Sequence, residues 1–144
     1  MTDGEVRQFL DGRHTMNVAT VGPTGHPHLV AMWYAMAGED PVFWTYAKSQ
    51  KIANLRRDPK LTCLVEDGET YETLRGVEVV GSGELIEDRD EVLHIGALIY
   101  ERYFGELNEA ALEAVKVMGA KRLGVRVHPL RTVSWDHAKL GGVY

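Results

Sequence analysis

The sequence lacks a second cysteine, a long apolar run and an excess of positive charge, and each absence excludes a class of protein. Cys63 stands alone, so the chain forms no internal disulfide and no cysteine-based zinc site. No apolar run approaches the ~18 residues that a membrane helix needs. The acidic start at residues 1–5 also lacks the basic and apolar regions of a signal peptide. We therefore expect a soluble cytoplasmic protein.

The charge balance is acidic. The chain has 16 Lys and Arg residues and 21 Asp and Glu residues, which gives a formal net charge of −5. Affinity for nucleic acid comes mainly from neutralising phosphates, so this balance and the lack of a basic tail argue against such a partner. A length of 144 residues with 44% hydrophobic residues fits one domain spanning residues 1–144.

The hydrophobic pattern predicts a mainly β protein with a few helices, of the α+β class. Helices are predicted at residues 3–11, 49–58, 89–104 and 108–118, and strands at 16–21, 28–36, 42–46, 61–66, 74–86, 122–127 and 132–135. Short turn-rich links between the first three strands predict an antiparallel meander. Pro129 is expected to break the last β segment. The whole pattern indicates a small β-barrel.

The most informative stretch joins the third predicted strand to the second predicted helix. Thr45 ends the strand, Lys48 and Ser49 lie in the loop, and Lys51 falls in the first helical turn. Free N–H groups at a helix N-terminus, a hydroxyl and two ammonium groups together suit a phosphate. The alternative is that Ser49 only caps the helix and the lysines are solvated. No Walker-type loop is present.

Six short motifs carry a resemblance to a known family. They are GHPH at 25–28, VAMWY at 30–34, VFWT at 42–45, KSQK at 48–51, NLRRDP at 54–59 and VSWD at 133–136. Together they resemble the pyridoxamine 5′-phosphate oxidase-like group of flavin-binding split β-barrels. The nearest branch is that of the actinobacterial flavin/deazaflavin oxidoreductases that use coenzyme F-420. The resemblance implies an antiparallel split β-barrel with peripheral helices. It also implies a homodimer with the cofactor in a groove between subunits.

The resemblance further implies which residues contact the phosphate and its linker. Thr45, Ser49 and Lys51 would hold the phosphate of the bound flavin or deazaflavin, with Lys48 close by. Trp44 and Thr45 would lie along the linker of the cofactor.

The ring, the tail and the partner subunit have their own implied contacts. The residues that would lie against the ring system are Val30, Ala31 and Met32. Arg56 and Arg57 would meet the acidic polyglutamate tail of a deazaflavin. Trp135 and Lys139 would come from the partner chain.

The implied function is hydride transfer from coenzyme F-420 to a small, planar, conjugated substrate. Flavin-type oxidases of this group carry Arg immediately before the loop lysine, whereas this chain has Gln50. One phosphate-binding charge is therefore missing, which favours a deazaflavin over FMN. Two alternatives remain, an FMN-dependent oxidase or reductase of the same fold and a non-catalytic carrier of the cofactor. No side chain is assigned as acid or base. Tyr34, His28 and His137 are candidates for protonating the substrate, as is solvent.

Other patterns have simpler interpretations. His26 and His28 have no third ligand nearby in the sequence, so no metal site is expected. Ser134, Asp136 and His137 lack the Gly-x-Ser-x-Gly elbow of a hydrolase.

Three further features are read as structural. The glycines at residues 81–83 indicate a β-bulge rather than a dinucleotide fingerprint. Cys63 is expected to be a buried, unreactive thiol. Two interpretations remain open for the three tryptophans, which either stack on a planar ring or fill the barrel core. They are Trp33, Trp44 and Trp135.

Overall fold

The computed structural model describes residues 1–141 and contains one seven-stranded antiparallel sheet and four α-helices within them. The strands are β1 (Met16–Val21), β2 (Pro27–Met32), β3 (Ala35–Ala37), β4 (Asp40–Tyr46), β5 (Lys60–Asp67), β6 (Arg75–Ile86) and β7 (Arg122–Asp136). The helices are α1 (Asp3–Leu10), α2 (Gln50–Arg57), α3 (Arg89–Phe104) and α4 (Glu109–Gly119). The curled sheet forms the predicted split barrel.

The order of strands across the sheet is β2-β1-β5-β6-β7-β4-β3. Both antiparallel pairings of the predicted meander form, but at opposite edges of the sheet, so the three predicted strands do not lie side by side. β2 pairs with β1, whereas β4 pairs with β3 and β7. The predicted strand at residues 28–36 is also wrong, because it divides into β2 and β3 at residues 33–34. The Tyr34 side chain is fully buried there and its hydroxyl donates to the Leu10 carbonyl at 2.7 Å. This long-range contact turns the chain out of β2.

The predicted break at Pro129 is wrong as well, because β7 continues through it to Asp136. The pairing of β6 with β7 shifts register between Val80 and Gly81, which confirms the predicted bulge. Pro129 pairs with Gly81 at this bulge, where a residue without an N–H is tolerated. A side chain at residue 81 would lie 2.2 Å from the His128 carbonyl oxygen, so only glycine fits.

Two hydrophobic cores lie on either side of β4, which is buried on both faces. Phe43 packs inside the barrel with α1, whereas Val42 and Trp44 pack against α3 and α4. Cys63 belongs to the barrel core, and burial raises the pKa of its thiol to about 12. The thiol is therefore unreactive at neutral pH, as predicted.

The start of α1 shows a capping box formed by Thr2 and Glu5. The Glu5 N–H donates to Thr2 Oγ1 at 3.3 Å, and the Thr2 N–H donates to Glu5 Oε2 at 2.6 Å. None of the helices described within residues 1–141 combines the length and apolar content needed to cross a membrane.

Candidate functional site

The junction between β4 and α2 brings two hydroxyls together at a helix N-terminus. The Ser49 N–H donates to the Tyr46 carbonyl at 2.9 Å, which closes a turn after β4. Ser49 Oγ accepts from the Ile52 N–H at 3.5 Å and so caps α2, as predicted. Thr45 is buried, and its Oγ1 lies 3.5 Å from Ser49 Oγ. The β4–α2 junction (residues 45–51) therefore groups the predicted phosphate ligands.

Lys51 is the unusual residue of this junction because it is buried without a counter-charge. Its side chain is 9% exposed. No carboxylate or hydrogen-bond acceptor of residues 1–141 contacts its ammonium group. Desolvation lowers the pKa of Lys51. The Nζ atom itself keeps some contact with solvent. A partly desolvated charge without a partner is costly, so the residues present fit an anionic group placed beside it.

Contacts to β1 hold α2 in place and so fix the β4–α2 junction. Asn54 is fully buried, and its Nδ2 donates to Thr20 Oγ1 at 3.0 Å. Its Oδ1 accepts from Gln50 Nε2 at 2.7 Å. Arg57 donates to the Val21 carbonyl. A buried amide with both ends bonded specifies one position for the helix.

The other predicted cations lie in different surroundings. Lys48 is exposed in the loop. Arg56 forms an exposed ion pair with Glu87 at 2.6 Å, near the far end of α2. Arg57 is engaged by the Val21 carbonyl. Among the junction's side chains, the ammonium groups of Lys48 and Lys51 carry the positive charge, since Gln50 is neutral.

β2 is an edge strand and presents the predicted ring contacts. Val30 and Met32 are half-buried on the inner face, whereas Ala31 points outward and is exposed. Ala31 and Met32 line a cavity of about 260 Å³ together with Trp44. The sequence had suggested Trp33 for stacking on a planar ring, but it did not indicate the rest of the other wall, which comes from α3 and α4 with Arg122. The glycine inside the apolar face of the helix at 89–104 was the available signal.

Trp135 and Lys139 lie far from the junction within one chain. Ala47, in the junction, bonds to Lys121 at the start of β7, whereas Trp135 stands at the end of that strand against Gly76. A strand rises about 3.3 Å per residue, so the length of β7 separates the two places. Lys139 pairs with Glu5 at 2.6 Å and holds the pKa of that carboxyl down to about 2.

The candidate proton donors differ in accessibility. Tyr34 is fully buried, its hydroxyl is bonded to Leu10, and burial raises its pKa far above the ordinary value. His137 Nδ1 contacts the Tyr71 carbonyl at 2.8 Å. His28 Nδ1 is buried without a hydrogen-bond partner among residues 1–141. Tyr34 is therefore a structural residue in this chain.

Comparison with known proteins decides the family. The model of the pyridoxamine 5′-phosphate oxidase family matches residues 2–136. The chain belongs to this family. The split barrel seen here is consistent with this family. No curated protein matches the chain.

Solved structures agree with this family assignment. A conserved hypothetical protein from Mycobacterium tuberculosis is 44% identical, with a TM-score of 0.95, and the match covers 100% of this chain and 90% of that one. An F-420 reductase is 28% identical with a TM-score of 0.71, over 88% of this chain and 94% of that one. The heme storage protein HutZ from Vibrio cholerae is 18% identical with a TM-score of 0.70, over 93% of each chain, and shows the fold alone.

Proposed function

We propose that the protein is a reductase that uses coenzyme F-420 and transfers a hydride to a small, planar, conjugated substrate. The observation that carries the proposal is Lys51, a largely buried lysine with no counter-charge among residues 1–141, which follows closely after Ser49, whose hydroxyl lies 3.5 Å from that of Thr45. A phosphate there would accept charge-assisted hydrogen bonds, which contribute roughly 1.5–3 kcal/mol each. The likeness to an F-420 reductase supports the same cofactor.

The charge of the junction supports a deazaflavin over FMN. The phosphate of coenzyme F-420 is a diester with one negative charge, whereas the monoester of FMN carries a charge of about −1.5 to −2 at neutral pH. Lys51 is the buried cation of the junction, and Lys48 is exposed. Gln50 adds no charge, and its amide already bonds to Asn54. One buried cation matches one negative charge.

The protein's part in the reaction is to bind and orient. When bound, a reduced deazaflavin supplies a hydride from C5, and the substrate gains that hydride and a proton. Holding two planar partners together lowers the barrier by several kcal/mol. The buried Tyr34 hydroxyl is bonded to the Leu10 carbonyl and is not offered to a substrate, so His28, His137 and solvent remain as sources of the proton.

Arg56 is the arginine of α2 that we assign to the polyglutamate tail. Arg57 is held by the Val21 carbonyl and Asn54, whereas the Arg56 side chain is 54% exposed and pairs with Glu87, itself 58% exposed. Exposed ion pairs contribute about 0–1 kcal/mol, so a glutamate of the tail would replace Glu87 at little cost. Arg56→Ala should therefore weaken binding of the long-tailed cofactor more than binding of a tail-less analogue.

We also propose that the functional unit is a homodimer. Leu130 is 82% exposed on β7 and Leu29 is 66% exposed on β2. An apolar groove beside Leu130 runs over β1, β5 and β6. Burying this surface against a second copy would favour association. Such a dimer would let the end of β7, with Trp135 and Lys139, approach the junction of its partner.

The test is a spectroscopic titration of the purified protein with coenzyme F-420 and FMN side by side. We expect F-420 to bind more tightly and its reduced form to be oxidised by members of a panel of enones, quinones and tetrapyrroles. Tighter binding of FMN would support the FMN-dependent alternative. Tight F-420 binding without hydride transfer across the panel would support the carrier. Binding of neither cofactor would end the proposal.

A further inference from the structure

The cavity between β2, β4 and the two long helices is a second feature of the site. It has a volume of about 260 Å³, and its lining is mostly aromatic and aliphatic, from Met32, Trp33, Trp44, Tyr100 and Phe104. Pockets for drug-sized ligands begin near 300 Å³, so this cavity suits a ligand of one or two rings. Ala31, Met32 and Trp44, on one side of the cavity, are the residues predicted to contact the ring and linker of the cofactor. The opposite wall, with Tyr100 and Phe104 of α3, has no predicted cofactor contact, so the cavity leaves room for a ligand beside the ring.

Trp44 forms a fixed wall of the cavity. Its indole packs against Gly96 of α3 and Gly119 of α4, and both glycines leave it the space. A side chain at residue 96 would lie 2.3 Å from Trp44 Cζ3, and one at residue 119 would lie 3.1 Å from the same atom. The tryptophan is therefore held between two helices in one position.

Trp33 forms another wall and is also braced. Its ring stacks on Tyr103 with centroids 4.4 Å apart and an angle of 7° between the planes. The ring of Phe104 meets it edge-on at 5.3 Å. Trp33 is 45% exposed, so a flat ligand has access to a supported aromatic surface.

Among residues 1–141, Arg122 is the one charged residue that lines the cavity. Its guanidinium lies 5.1 Å from the Trp44 ring and 4.5 Å from the Tyr46 ring, and its Nη1 donates to the Met118 carbonyl at 2.8 Å. No carboxylate of residues 1–141 forms an ion pair with it. The group is positioned by aromatic faces and a backbone carbonyl, and its charge is left for a ligand.

We propose that this cavity binds a small planar aromatic carboxylate, with the rings between Trp33 and Trp44 and the carboxylate on Arg122. Naming this ligand as the hydride acceptor rests on the proposed function. Binding itself does not, because the cavity is formed by one chain without a cofactor. The acceptor is thus an aromatic or conjugated acid rather than a neutral quinone.

The test is calorimetric titration of the cofactor-free protein with 2-naphthoate and, as its uncharged counterpart, 2-naphthamide. We expect naphthoate to bind, and Arg122→Met to weaken it by about tenfold or more, since a charge-assisted bond is lost. Arg122→Met should leave naphthamide binding unchanged. The control Arg7→Met removes an arginine that pairs with Asp11 on α1, and it should change neither ligand.

Tryptophan fluorescence gives a second readout. Trp33 and Trp44 line the cavity and Trp135 does not, so naphthoate should still change the emission of Trp135→Phe but not that of Trp33→Phe/Trp44→Phe. Equal binding of both ligands, or naphthoate binding that is unaffected by Arg122→Met, would overturn the assignment. So would the absence of binding, as expected if a second copy of the chain covers the cavity. Because no cofactor is present, these outcomes are separate from failure of the F-420 titration.

Discussion

Two lysines stand at the β4–α2 junction, and burial gives them different roles. Lys48 is exposed, so water screens its charge and its attraction for an anion is weak. Lys51 is largely buried, so water screens its charge less and an anion beside it meets a stronger field. The same side-chain chemistry therefore gives one solvated cation and one residue that we propose binds the phosphate.

The lowered pKa of Lys51 predicts how cofactor affinity depends on pH. Burial disfavours the charged form, so Lys51 loses its proton at a lower pH than an ordinary lysine. A phosphate binds the protonated form, so affinity should fall as the pH rises through the pKa of Lys51 in the free protein. The measurement is the Kd of coenzyme F-420 between about pH 7 and pH 10.

A control variant ties that dependence to Lys51. Lys51→Met should bind weakly at every pH, without the alkaline fall. Stability should change in the opposite direction: the unfolded chain binds the lysine proton more tightly, so the wild type gains stability as pH rises between the two pKa values. An affinity that is constant up to the pH at which exposed lysines titrate would contradict the assignment.

At the scale of elements, α3 and α4 are fitted around one side chain of β4. The edge of the Trp44 indole lies close to Gly96 and Gly119, so the helices approach the sheet closely there. The hydrophobic pattern of residues 89–119 predicts both helices. It contains no information about which strand they cover, because that depends on contacts between segments far apart in the chain.

Gly96→Ala should destabilise the protein by about 1–3 kcal/mol, because the new methyl group would overlap the Trp44 ring. Urea unfolding gives the free energy, and the emission of Trp44 reports its displacement. Gly4→Ala is a matched helix substitution with no heavy atom within 4 Å of the new methyl group, and it should stabilise by about 0.4–1 kcal/mol. A Gly96→Ala variant as stable as the wild type would show that the helices are not closely fitted.

At the scale of the whole molecule, the sheet order explains what local sequence could and could not predict. Turn residues and alternation locate most strands, and the helix caps at Thr2 and Ser49 are local signals that the structure confirms. The three strands of the predicted meander are not side by side, because β2 and β3 lie at opposite edges of the sheet and β4 pairs with the distant β7. The prediction of one continuous strand at residues 28–36 failed for the same reason, because the division into two strands depends on the hydrogen bond from Tyr34 to the distant Leu10.

The residues of the candidate site can also be divided into those that local sequence predicts and those that only the fold brings together. Thr45, Ser49 and Lys51 are close in sequence, so the sequence predicted their grouping. The cavity residues come from β2, β4, α3, α4 and β7, and only the fold brings them together. Burial of Lys51 was not predictable either, because the sequence alone favours a solvated lysine.

The proposed dimer gives a prediction at this scale. Leu130→Asp places a charge on the exposed apolar face and should shift the protein from dimer to monomer in sedimentation equilibrium. Cofactor affinity should fall with it, if the partner supplies Trp135 and Lys139. Leu112→Asp alters an exposed leucine of α4 and should leave the dimer intact. A wild-type protein that stays monomeric at high concentration would contradict the proposal.

The most direct test of the phosphate assignment is calorimetric titration of coenzyme F-420 into Lys51→Met beside the wild type. Lys116→Met serves as the control, since Lys116 is an exposed lysine that pairs with Glu113 on α4. We predict that Lys51→Met weakens binding by about tenfold or more, or at least ~1.4 kcal/mol, while its free energy of unfolding does not fall. Affinity equal to that of the wild type and the control would contradict the account.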